Sequence, residues 1–186
     1  DPTRVRYWLQ EWPNLAAVLS SPSVPAAKQT TPSLQPELAD VSYIEDEFPG
    51  VWGRLATSEA AGSGMQIASF SPTSGTITVL VVARLDAAVL STPILQGTNW
   101  NIGRQDSSGP LGVSLGTQRL EAATSTEGLD GKWTVFSAVI SRNKLVFHID
   151  KQEYDLTLGT APSVSIGSIS LNTSGVDIAE VLVYNR

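Results

Sequence analysis

Three pairs of acidic residues set the limit on what bond-breaking chemistry this chain can perform. Retaining glycoside hydrolysis needs two carboxyl groups about 5 Å apart, and alternate positions on one strand deliver them because residues i and i+2 share a face. Glu45 and Glu47 have that spacing, but they adjoin Phe48-Pro49-Gly50, a turn with no β-branched run around it. Asp150 and Glu153 flank a turn. Asp177 and Glu180 stand three apart, which puts them on opposite faces of a regular strand. All are read as solvated turn or rim acids, so no catalytic residue is assigned and the chain is expected not to be an enzyme.

The single histidine, His148, excludes a multi-histidine metal site and by itself builds no Ser–His–Asp triad. It sits on the polar face of Lys144-Leu-Val-Phe-His-Ile-Asp150, where Leu145, Phe147 and Ile149 point the other way. It reads as a surface imidazole or as a ligand contact. Gly62-Ser-Gly64 and Gly109-Pro-Leu-Gly112 are turns, since neither opens a helix behind a nucleotide motif.

Sugar recognition asks for an aromatic platform beside side chains that hydrogen-bond in a plane. Trp100, Asn101, Arg104 and Asp106 fall within a few residues of one another, next to the loop Ser107-Ser-Gly-Pro110. With His148 they are the ligand-binding candidates. On a strand, Trp100, Ile102 and Arg104 share one face, and Asn101 and Gly103 the other. The opposing reading puts Trp100 and Ile102 in the core, with Arg104 ending the strand at its rim, because tryptophan is highly buried on average. Calcium is admitted through the loop acids Asp106, Asp130 and Asp177 but not required; no cofactor or metal ligand is assigned.

The elements that must hold these groups are strands. Twelve Lys and Arg against eighteen Asp and Glu give a net charge of −6, with no basic run to neutralise phosphates, so nucleic acid is not an expected partner. No apolar stretch approaches membrane-spanning length. Without cysteine there is no disulfide framework and no thiolate metal site. A chain of 186 residues is large enough to bury a core unaided.

Strand signals cover 51–56, 65–70, 76–84, 93–96, 100–104, 111–115, 119–123, 133–140, 144–150, 153–158, 164–168 and 176–184, separated by Gly, Pro, Asn and Ser turns. About a dozen short strands of this kind specify a sandwich or barrel. The segment 76–83 is apolar on both faces and should be central, covered by the facing sheet on one side and by loops or a partner on the other. Trp133, Val135, Phe147 and Ile149 are the expected core of the hairpin that follows it. Residues 5–9 allow a short strand or a helical turn. The segment 20–36, with prolines at 22, 25, 32 and 36, reads as an extended stretch that cannot enter a central strand.

The order of these pieces resembles the concanavalin A-like lectin/glucanase superfamily, in its laminin-G-like branch of bacterial surface and phage virion proteins. The residues that carry the resemblance are Gly64-Met-Gln-Ile-Ala68 before Thr76-Ile-Thr-Val-Leu-Val-Val-Ala-Arg84, then Trp100-Asn-Ile-Gly103 and Gly131-Lys-Trp133 through Phe147-His-Ile-Asp150. The closing strand Gly175-Val-Asp-Ile-Ala-Glu-Val-Leu-Val-Tyr184 completes it. Lys151 stands where the family often has glycine, so a looser turn is expected there. The resemblance implies an all-β jelly-roll sandwich of two antiparallel sheets over 41–186, with 1–40 as an extended arm packing on the domain or a partner.

The function expected from this is a non-catalytic binding or adhesion module recognising carbohydrate, extracellular, on a cell surface or on a virion. The alternative is a structural virion or surface component with protein partners. Tyr7, Trp8, Leu9, Trp12 and Leu15 then offer a segment for homo-oligomer contacts.

Overall fold

The computed structural model describes residues 7–9, 26–28, 37–38, 55–56, 64–67, 75–85, 93–104, 109–122, 129, 131–159, 163–165, 168–172 and 176–185. All regular structure among them is β. In chain order the strands are β1 (Tyr7–Leu9), β2 (Ala26–Lys28), β3 (Glu37–Leu38), β4 (Leu55–Ala56), β5 (Gly64–Ile67), β6 (Thr76–Leu85), β7 (Pro93–Gln96) and β8 (Trp100–Arg104). There follow β9 (Leu111–Leu115), β10 (Gln118–Glu121), β11 (Trp133–Ser141), β12 (Lys144–Ile149), β13 (Gln152–Thr157), β14 (Ile169–Asn172) and β15 (Val176–Asn185). An eight-stranded sheet runs β1-β2-β5-β14-β7-β8-β9-β10 and a seven-stranded sheet runs β13-β12-β11-β6-β15-β4-β3. Neighbouring strands pair antiparallel throughout.

Alternation builds the core. Ile77, Val79, Val81, Ala83 and Leu85 point from β6 into the space between the sheets, where Trp100, Ile102, Val113, Leu145 and Phe147 meet them. As expected, β6 is central, with β11 on one side and β15 on the other. Phe136 and Phe147 stack, with ring centroids 6.4 Å apart.

Register corrects half of the hairpin core expected from sequence. Phe147 and Ile149 are inside, but their partners across the ladder are Ala138 and Phe136. Paired residues share a face, so Phe136, Ala138 and Ile140 fill the core. Trp133 and Val135 are turned to the outer face, where Trp133 is buried beside Val82 and Ala179 instead.

Two other expectations move, and one open alternative is decided. Of the strand placed at 164–168, the described residues 164, 165 and 168 are irregular, and the strand is β14, from Ile169 to Asn172, between β5 and β7. Within the extended 20–36 segment, Ala26-Ala27-Lys28 lies between two prolines and pairs with both β1 and β5, so it is an interior strand. Residues 7–9 form a strand rather than a helical turn. Thus β1, β2 and β3, all within the first 40 residues, hydrogen-bond into the two sheets.

The turn at Asp150-Lys151 is firm. Asp150 takes a φ of 52°, its amide donates to the Val135 carbonyl at 2.8 Å, and its Oδ1 accepts the Val135 amide at 3.0 Å. The carboxylate thereby ties the connection to the neighbouring strand, which a glycine could not do.

Candidate functional site

The outer face of the eight-stranded sheet carries one uninterrupted polar row. The ladder sets Gln66 opposite Ser170, Ser170 opposite Gln96, Gln96 opposite Asn101, Asn101 opposite Ser114 and Ser114 opposite Arg119. Cross-strand partners point to the same side, so these residues line up across β5, β14, β7, β8, β9 and β10. Their chain neighbours Ile169, Leu171, Leu95, Ile102, Val113 and Leu120 point into the core. Gln66, Ser170 and Gln96 are exposed, Asn101 and Arg119 half-buried, and Ser114 buried. The register continues from Gln66 to Lys28 on β2.

Arg119 closes the row as a fixed planar group. Its Nη2 donates to the Gly103 carbonyl at 2.9 Å and to the Pro110 carbonyl at 3.2 Å, while its Nε donates to Glu121 Oε1 at 3.0 Å. The guanidinium needs a bare floor. Gly103 pairs with Gly112, and a Cβ on Gly112 would stand 3.2 Å from Arg119 Nη2 and press on the Leu120 carbonyl. At Gly103 a Cβ would come 2.7 Å from Pro93 Cα, because β7 bulges there.

The five residues singled out in the sequence do not form one cluster. Trp100 is 2% exposed and lies in the core, its indole N–H without a hydrogen-bond partner among the described residues. Arg104 shares its inward face and is also buried. Asn101 points outward into the polar row. Asp106 lies outside the described residues. His148 is on the other sheet, where its Nε2 meets Glu153 Oε2 at 3.0 Å. Asn101 and His148 therefore sit on opposite outer surfaces of the sandwich.

The acids are similarly dispersed. Glu45 and Glu47 lie outside the described residues, Asp150 caps Val135, and Glu153 meets His148. For Asp177 and Glu180 the strand is not regular. A bulge between Ile178 and Glu180 sets Asp177 opposite Arg84 and Glu180 opposite Val82, so the pair shares the outer face of the seven-stranded sheet. Asp177 is bound there by Arg84, whose Nε donates to Oδ2 at 2.8 Å, and the guanidinium lies 5.4 Å from the Trp133 ring centre. Among the described residues no three His, Asp or Glu gather as a metal site. Of the acids considered for calcium, Asp106 and Asp130 are outside those residues. No helix among the described residues is long and apolar enough to cross a membrane.

No family model matches the chain, and no curated protein matches it. Solved structures do. Domain 4 of a GH43 extracellular arabinanase from Geobacillus stearothermophilus, in complex with arabinotriose, aligns at 12% identity with a TM-score of 0.55, over 85% of this chain and 77% of that one. The binding domain of botulinum neurotoxin serotype D aligns at 11% identity and 0.53, over 99% of this chain and 48% of its own. Trypanosoma rangeli sialidase aligns at 12% and 0.54, over 88% and 27%. The fold is a jelly-roll sandwich of two antiparallel sheets. This chain spans less than half the length of the toxin and sialidase chains it aligns with.

Within the jelly roll, sequence reasoning flagged Asn101 and missed the rest of its row. Gln66, Gln96 and Ser114 each stand as the single polar outward residue of a short strand, while Ser170 shares its face with Asn172 and Arg119 with Glu121. Only the register, which crosses from residue 66 to 170 and back to 96, makes them neighbours.

Proposed function

We propose that this jelly roll is a non-catalytic carbohydrate-binding module acting outside the cell, on a cell surface or a virion, with sugar held on the outer face of the eight-stranded sheet. The observation that carries the reading is the polar row from Gln66 to Arg119. Amide and hydroxyl side chains both donate and accept, as sugar hydroxyls do, so such a row satisfies a sugar from either direction. The fixed guanidinium of Arg119 adds a planar donor whose ordering cost is already met in the fold. Support comes from the arabinanase domain of the same fold, which is named as extracellular and in complex with arabinotriose. The non-catalytic part is supported by the engagement of Asp150, Glu153 and Asp177 in bonds that hold turns and strands.

A glycan array tests this directly. The wild type binds a defined set of glycans, and a Gln96→Ala/Asn101→Ala variant loses about tenfold or more on the same set, at about 1 kcal/mol per lost bond. If no glycan is bound at millimolar concentration, the reading is wrong.

One observation favours the alternative of a structural component with protein partners. The outer face of the seven-stranded sheet presents half-buried Leu80, Val135, Val139, Val146 and Leu182, beside the pairs Lys144–Asp155 and Arg84–Asp177, the His148–Glu153 contact and the exposed Glu180. Self-association in sedimentation that Leu80→Asp abolishes would establish that role; a monomer at high concentration would count against it. Trp12 and Leu15, considered for oligomer contacts, lie outside the described residues.

A further inference from the structure

We infer that the ligand is a linear, uncharged oligosaccharide lying across the strands, one sugar to each strand; this builds on the binding reading above. The direction follows from where hydrogen-bonding side chains stand and where they do not. Along β8 the outward positions are Asn101 and then Gly103, and along β9 Ser114 and then Gly112. A chain laid along β8 or β9 therefore meets one polar side chain and then bare backbone, and on β14 the second outward residue, Asn172, stands beside the bare Gly64. Across the strands the sequence of contacts is Gln66, Ser170, Gln96 and Asn101, without a gap.

The spacing fits as well. Neighbouring strands lie about 4.8 Å apart, and an extended pyranose chain advances by nearly that distance per sugar. Each sugar thus finds its hydroxyls over a new strand, in step with a new side chain. The four accessible positions from β5 to β8 span roughly 14 Å. Beyond them Ser114 is buried and Arg119 is half-buried. The three bonds to Gly103, Pro110 and Glu121 leave Nη1 of Arg119 as the donor that meets the end of the chain.

Charge selects a neutral ligand. The cation at the β10 end of the row, Arg119, already holds Glu121. The five positions before it, Gln66, Ser170, Gln96, Asn101 and Ser114, are uncharged, and the protein carries −6 overall, so a chain of uronic acids gains nothing in the middle and is repelled by the whole.

The experiment is a titration calorimetry series with cello-, manno- and arabino-oligosaccharides of two to six sugars. At least one series is expected to tighten about two- to tenfold for each sugar added up to four or five, with no loss between low and high salt, since no charge is exchanged. Ser170 is exposed in mid-row, so Ser170→Trp should fold normally and cut the strip, reducing the longest oligosaccharide to the affinity of the disaccharide. Gln96→Ala, also an exposed position, should lower long-chain affinity about two- to tenfold and leave the unfolding midpoint unchanged. Binding that is independent of length, stronger for uronate chains, or indifferent to both variants overturns this inference while leaving carbohydrate binding intact. Absence of binding to every sugar overturns both.

Discussion

Asn99 holds Ser165 across the end of the sandwich with the geometry of a strand partner. Its Oδ1 accepts the Ser165 amide at 2.9 Å and its Nδ2 donates to the Ser163 carbonyl at 2.9 Å, so one side-chain amide stands in for a peptide unit. The backbone carbonyl of Asn99 also accepts the Gly116 amide at 2.8 Å. Asn99→Ala removes two hydrogen bonds and is expected to cost about 1–2 kcal/mol in urea unfolding, with faster hydrogen exchange at Ser165. Asn99→Asp keeps the acceptor and loses the donor, and should fall about midway.

Trp100 and Gly97 form a second coupled pair. The indole lies so close over the turn that a Cβ on Gly97 would run into its five-membered ring. Gly97→Ala should therefore overpack the site and cost about 1–3 kcal/mol. Because the indole N–H has no partner among the described residues, Trp100→Phe gives up ring volume but no hydrogen bond. The double variant should be more stable than the two single losses predict when added, and additivity would mean that the ring is not what Gly97 avoids.

Arg84 and Asp177 are joined through two guanidinium nitrogens, with side chains 23% and 11% exposed. Arg84→Met leaves a largely buried carboxylate and is expected to cost about 3 kcal/mol. Asp177→Asn keeps an acceptor for the guanidinium and should cost about 1–2 kcal/mol. Arg84→Met/Asp177→Leu, which removes both charges, should be milder than Arg84→Met alone. Thermal unfolding of the three variants checks that order.

At Asp150 the backbone is left-handed, with a φ of 52°, and the carboxylate accepts from Val135. Asparagine tolerates that conformation and offers the same acceptor, so Asp150→Asn should be nearly neutral. Alanine meets the steric cost of about 1–2 kcal/mol and loses the bond too, making Asp150→Ala the least stable. Asp150→Gly, relieved of strain but lacking the acceptor, should lie between them.

The strands at 93–96, 100–104 and 111–115 are legible in the sequence to the residue, because turn signals bound each of them closely. The stretch 164–172 alternates twice, with Val164 and Ile166 and then, one residue out of phase after Gly167, with Ile169 and Leu171, so alternation alone does not say which half pairs; Asn99, from a distant hairpin, bonds Ser163 and Ser165 and the strand is β14. The facing of Trp133 and Val135 is likewise a matter of register with β12, invisible in a segment hydrophobic at nearly every position. The bulge after Ile178 reverses which acids share a side. The polar row fails to show in sequence for the same reason: its members are unremarkable one by one, and proximity comes from a ladder that brings residue 170 between 66 and 96.

The two sheets are finished by the same stretch of chain. β1 and β2 border β5 in one, and β3 and β4 border β15 in the other. A protein shortened at its beginning would uncover unpaired backbone on both layers simultaneously, and such rims recruit strands from other molecules. Proteolytic trimming of this end should therefore turn a well-behaved molecule into one that clumps, even with every position from Gln66 to Arg119 intact.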